Sequence, residues 1–274
     1  MKNKIITIAA VVLCLAGVGL LIYPTVSDFI NRIHSSRAIQ ELVVQMEDIP
    51  DEELMAQLEY AREYNDRIVD RVFADKNNSL KDYYEILDFA NNMMGYIEIE
   101  KIDVKLPIYH GVSADVLSKG VGHLPQSTFP IGGEGYHAVL TAHTGLPSAE
   151  LFTDLVELRE GDVFKIYIAN EELMYKVDQI KTILPEETED IVPVPGEDYC
   201  TLVTCTPYGI NSHRLLVRGT RIYSEDEIDS GQNSEDNSIT FPIFPWMELT
   251  VFVLTSMSSI KHLSREVRRE EEKG

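Results

Sequence analysis

Ile5–Tyr23 is a run of 19 residues without a charge, preceded by Lys2 and Lys4. At 1.5 Å per residue, such a helix nearly crosses a ~30 Å hydrocarbon core. Leu20, Leu21, Ile22 and Tyr23 offer no small-residue cleavage site, and the stretch is long for a signal peptide. The expectation is an uncleaved anchor over 5–23 with residues 1–4 cytoplasmic. A second apolar stretch covers Phe241–Ile260, interrupted by Pro242, Pro245 and Glu248. A charge at mid-membrane costs roughly 3 kcal/mol on insertion scales, so Glu248 would have to sit at the outer interface beside Trp246. Lys261, Arg265, Arg268 and Arg269 follow as a positive-inside tail. Residues 241–260 are therefore expected to span and 261–274 to return to the cytoplasm; an interfacial or packing segment is the rival reading.

Between these segments the periodicity changes twice. Ile30, Ile33, Leu42, Val43 and Met46 approximate a helical stripe. A break at Ile49–Pro50 follows, and Asp51, Glu52 and Glu53 suit the positive first turn of a second helix. That helix carries Leu54, Leu58, Ala61 and Ile68, and polar Asp75–Ser79 predicts a loop. From Gly95 the chain turns to short β-branched or aromatic runs: Gly95–Glu100, Val104–Tyr109, His137–His143, Val163–Ala169, Leu173–Ile183, Thr201–Cys205 and Arg214–Tyr223. Gly, Pro, Asn and Asp punctuate them, and one helical segment is expected near Glu150–Leu158. The fold class is thus mainly β, an antiparallel barrel of about seven to eight strands over 95–223. Residues 24–94 supply N-terminal helices, and 224–240 read as a flexible linker rich in Ser, Asp, Glu and Asn.

Composition narrows the function. The formal charge of −21 over 274 residues argues against nucleic acid as a partner, because phosphate binding needs clustered Lys and Arg. A solvated surface and attraction of basic partners both remain open. Three cysteines do not make a disulfide framework. Cys14 lies in the apolar run. Cys200 and Cys205 sit five apart on one strand, roughly 16 Å from each other and on opposite faces. Cys200 reads as a core residue, which leaves Cys205 as a lone thiol.

Around that thiol, Pro207, Gly209 and Asn211 mark a turn. A hairpin centred between Gly209 and Ile210 sets Cys205 opposite Arg214, with Cβ atoms roughly 5 Å apart. A cation beside a thiol favours the nucleophilic thiolate, although a core thiol near a surface arginine would look the same. Seven histidines offer a proton carrier, and composition does not choose among His110, His123, His137, His143 and His213. His143 has the best setting, since it ends a strand before the Thr144–Gly145 turn. His213 adjoins Arg214, but strand alternation points it to the other face.

Taken in order, Leu140-Thr-Ala-His143-Thr-Gly, Thr201-Leu-Val-Thr-Cys205 and His213-Arg214-Leu-Leu-Val-Arg-Gly resemble the three signature segments of the sortases. Gly95-Tyr-Ile-Glu-Ile, Lys105-Leu-Pro-Ile-Tyr-His-Gly111, Gly145-Leu-Pro-Ser-Ala-Glu-Leu-Phe-Thr-Asp-Leu155 and Cys205-Thr-Pro-Tyr-Gly resemble the class C, pilin-assembling branch. The resemblance covers roughly 27–223, and Ala142 stands where the family more often has Gly. It implies a sortase-type barrel and a cysteine transpeptidase. Cys205 would be the nucleophile, His143 the general acid/base, and Arg214 the stabiliser of oxyanion or substrate. The implied substrates are secreted pilins with Leu-Pro-x-Thr-Gly-like sorting signals, joined to a lysine amine of the next pilin. The implied location is the membrane of a Gram-positive-type bacterium, with the barrel outside. No metal or cofactor is called for; some sortases use calcium, and no ligand cluster is evident. Class C members usually carry an Asp-Pro-aromatic lid. Here Arg71-Val-Phe73 fills the matching place, so Phe73 is the lid candidate, with packing at the helix end as the bland reading. A wall-anchoring sortase of another class and a non-catalytic β-barrel receptor are the alternatives; a papain-like hydrolase would place Cys before His.

Overall fold

The computed structural model describes residues 2–74 and 82–223. The expected loop over 75–79, the linker, the second apolar stretch and the basic tail lie outside the described residues.

The N-terminal apolar run and the stripe behind it form one helix, α1 (Lys2–Glu47), which continues through Pro24. Among the described residues it is the one helix long and apolar enough to cross a membrane. Its buried face keeps part of the expected stripe. Ser35, Ile39, Leu42 and Met46 are buried, whereas Ile30 is exposed. The i, i+3/i+4 spacing is the same, but tertiary packing selects a face rotated from the one the larger apolar residues suggest. Pro50 separates α1 from α2 (Asp51–Ala74), whose first turn holds Asp51, Glu52 and Glu53 as expected. Leu54, Leu58, Ala61 and Ile68 are all buried, joined by Tyr64 and Asn65. The lid candidate Phe73 falls in the last turn of α2, and its side chain lies outside the described residues.

Eight strands follow: β1 (Met93–Ile99), β2 (Val104–His110), β3 (Val121–His123), β4 (Tyr136–Thr141), β5 (Val163–Ile168), β6 (Glu171–Ile183), β7 (Asp198–Thr206) and β8 (His213–Ile222). They close into a barrel in the order β1-β2-β3-β4-β7-β8-β6-β5, with β5 pairing back to β1. The expected mainly β barrel is therefore present. Its pairing is not antiparallel throughout: β2 runs parallel to β3, and β4 parallel to β7. Each parallel pair follows from a long return. The chain between β2 and β3 passes through α3 (Ala114–Leu117), capped by Ser113 Oγ accepting from Val116 N–H. Between β4 and β7 it makes the whole β5–β6 excursion. The helical segment expected near 150–158 is a short 3₁₀ helix, Thr153–Glu157.

Ile97, Ile108, Leu140, Phe164, Ile166, Leu202 and Val217 fill the barrel core, and Cys200 is fully buried among them. The helical layer is fastened by an aromatic cluster. The Tyr83 and Phe129 rings stack at 5.4 Å, and His123 stacks on Phe129 at 5.1 Å. Asn65 of α2 closes a two-way bond with the Phe129 backbone, at 3.1 and 2.6 Å, and Tyr64 donates to the Pro125 carbonyl at 2.6 Å.

Candidate active site

The β7–β8 hairpin has the register expected from its turn residues: Cys205 pairs with Arg214, and Thr206 with His213. The turn is held by Ile210 N–H and Asn211 N–H, both donating to the Pro207 carbonyl, at 3.1 and 3.0 Å. Gly209 and Asn211 take positive φ there, 73° and 58°, where glycine and asparagine are tolerated best. Arg214 Nη1 donates to the carbonyls of Asn211 (3.2 Å) and His213 (3.0 Å), which fixes the guanidinium over this turn. Cys205 is half-buried, in contrast to the sealed Cys200. Burial raises the Cys200 thiol far above its ordinary pKa, so it stays a neutral core residue.

On the other flank of β7 lies β4, whose last ladder pair is Thr141 with Val203. The chain leaving β4 keeps following β7. Ala142 N–H donates to the Val203 carbonyl (3.2 Å), and Thr204 Oγ1 donates to the Ala142 carbonyl (2.9 Å). Continued two steps past that last pair, the same parallel register would bring His143 level with Cys205. His143 thus lies just beyond the strand it was expected to end, at the barrel rim and half-buried. Gly145 next turns the chain at φ 72° under the Tyr208 ring; a Cβ at this position would lie 3.1 Å from Tyr208 Cε2. The turn after His143 and the turn after Cys205 are therefore packed together.

The structure also separates the histidines. His110, His123 and His137 are buried. His123 Nε2 faces the Thr128 carbonyl (2.8 Å) and Nδ1 faces Tyr83 Oη (2.9 Å). His137 Nδ1 faces the Val192 carbonyl (2.9 Å) and Nε2 faces Thr201 Oγ1 (2.7 Å). Desolvation pushes His123 down to about 3 and His137 down to about 4, outweighing the carbonyl bonds that would raise them. Both are structural and neutral. His110 bridges the carbonyls of Asn92 and Ile86, tying the segment after α2 to the end of β2. His213 is across from Thr206, one step off the Cys205 face, and bonds Ser212 Oγ at 2.8 Å. Of these five, His143 and His213 are the two that are not buried, and His213 is one register step off Cys205.

A half-exposed thiol laddered to an arginine, with a histidine just past the end of the other neighbouring strand, offers candidate parts for acyl transfer. These are a nucleophile, a fixed cation for a developing oxyanion, and a proton carrier.

Known proteins share this barrel. The family described as Sortase domain matches residues 97–222. Sortase C1 of GBS Pilus Island 1 is 40% identical, with a TM-score of 0.66 over 69% of this chain and 99% of that one. A sortase C from Clostridium perfringens, solved with the C-terminal cell wall sorting motif, is 40% identical at a TM-score of 0.62, covering 69% of this chain and 100% of its own. Sortase D of Bacillus subtilis (strain 168) is 31% identical over 131 residues, 47% of this chain and 63% of that protein's length. The chain belongs to the sortase family of cysteine transpeptidases. Within it, these solved structures at about 40% identity are sortases C, one of them from a pilus island.

Proposed function

We propose that this chain is a membrane-anchored pilin transpeptidase. The observation that carries the reading is the register at the rim, with Cys205 laddered to Arg214 on β8 and reached by the exit of β4 that bears His143. The Cys205 thiolate attacks the threonine carbonyl of a Leu-Pro-x-Thr-Gly-like signal. The Thr–Gly C–N bond breaks, and His143 gives the leaving glycine amine its proton. Arg214 meets the oxyanion of each tetrahedral intermediate. A lysine amine of the next pilin then attacks the thioester and passes a proton to His143. The C–S bond breaks, the thiolate returns, and the product is a Thr–Lys isopeptide.

The length and apolarity of α1 support anchoring at the N-terminus. The lysines before the apolar run favour the cytoplasm, which puts the barrel outside the cell. The substrate class is supported by the pilus island named for one relative and the cell wall sorting motif with which another was solved. The test incubates the full chain in vesicles with a protein ending in such a signal and a lysine-bearing acceptor, and maps the new bond by mass spectrometry. A Thr–Lys isopeptide that vanishes in Cys205→Ala is expected. Joining only to a peptidoglycan-type amine would replace the pilin reading with wall anchoring, and no Cys205-dependent product would remove the enzyme reading.

A further inference from the structure

Arg32 of α1 lies nine residues past the end of the apolar run and holds three carboxylates from three places. Its Nε meets Asp28, one turn earlier, at 3.0 Å; Nη2 meets Glu150 at 2.9 Å; Nη1 pairs with Asp103 of the β1–β2 turn. Asp28 Oδ1 also accepts the Glu150 backbone N–H at 2.8 Å. Glu150 belongs to the loop that begins at His143. Inside that loop, Phe152 N–H donates to the His143 carbonyl (3.1 Å), and Gly145 N–H donates to Thr153 Oγ1 (3.1 Å). Thr153 Oγ1 in turn bonds the Glu150 carbonyl. A continuous chain of bonds therefore runs from α1 through Glu150 and Thr153 to Gly145 N–H, two residues past His143, while Phe152 of the same loop holds the His143 carbonyl.

We propose that Asp28 and Arg32 are positioning residues: they seat the His143 loop on the membrane helix, so that α1 sets where the imidazole stands relative to Cys205. This rests on the function proposed above. Burial raises the Glu150 carboxyl, the Arg32 bond draws it back, and Asp154 beside it raises it again. Without Arg32, the carboxylates of Asp28, Asp103, Glu150 and Asp154 would face one another with no cation between them, and the loop would move off α1. The pairs are half-exposed, so their contribution to global stability is small. Displacement of a reacting group by even 1 Å costs on the order of 100-fold in rate. The clamp should therefore register in turnover and hardly in stability.

The experiment uses the full chain in detergent micelles with a soluble sorting-signal peptide. It compares wild type, Arg32→Ala, Asp28→Ala, Arg32→Lys and Cys205→Ala. Arg32→Ala and Asp28→Ala should lower kcat about tenfold with KM within about twofold. The melting midpoint and the alkylation rate of Cys205 by a small reagent should stay at wild-type values. Arg32→Lys keeps the charge and should return to within about threefold of wild type. Unchanged kcat in both alanine variants would overturn the inference, and so would a loss that tracks the melting midpoint. If wild type gives no more product than Cys205→Ala, it is the proposed activity that fails.

Discussion

Two buried imidazoles should make this barrel sensitive to mild acid. His123 and His137 are held neutral by desolvation, down to about 3 and about 4, against an ordinary value of 6.5. In the unfolded chain both take protons as pH falls through 6.5; in the folded chain they do not. The unfolded state then binds more protons, so stability falls as pH falls, in the window between 6.5 and the folded values. At about 1.4 kcal/mol per pH unit, moving from pH 7 to pH 5 removes about 2 kcal/mol per histidine, about 4 kcal/mol for the pair. That is a large share of the roughly 5–15 kcal/mol typical of a folded domain. Urea unfolding of the full chain in micelles at pH 7, 6 and 5 measures it. In His137→Gln the amide can still reach the Val192 carbonyl and Thr201 Oγ1, and the dependence on pH should drop by about half. The carboxyls of Glu150 and Asp198, raised by burial, act in the opposite sense but are common to both proteins. Equal slopes in wild type and His137→Gln would refute the assignment of His137 as a neutral core residue.

Two predictions concern the rim directly. His143→Ala should lose nearly all transpeptidation while His213→Ala, one register step off the Cys205 face, keeps most of it; the reverse order would assign the proton carrier to the wrong strand. If Phe73 shields the nucleophile as a weak lid, Phe73→Ala should react faster than wild type when Cys205 is titrated with a thiol reagent, and equal rates would mean that Phe73 is no lid.

The hairpin that carries the thiol was legible because its turn residues mark its midpoint. Pro207, Gly209 and Asn211 locate the turn, and counting outwards sets Cys205 on Arg214. The long β-branched runs announced seven strands for the same reason, that alternation survives over five or more residues. β3 did not, because Val121–His123 is three residues long and pairs partly in parallel, too short for any period to show. The buried face of α1 was legible at Leu42 and Met46 but not at Ser35, which carries no hydrophobic signal and is buried by tertiary packing. Choosing among the histidines needed the fold too. His110, His123 and His137 are alike in sequence to His143, and only the carbonyls facing the three buried rings set them apart. The Arg32 clamp was wholly hidden: its partners Asp103 and Glu150 are 71 and 118 residues away.

In the proposed reaction, Cys205 is acylated by the threonine of a sorting signal. The full chain, mixed with a Leu-Pro-x-Thr-Gly peptide and quenched in acid before an amine acceptor is added, should gain the mass of the peptide up to threonine. Fragment ions should place that mass on Cys205, and Arg214→Ala should abolish it. An unmodified Cys205, with peptide cleaved at the same rate in Cys205→Ala, would contradict acyl transfer through this thiol.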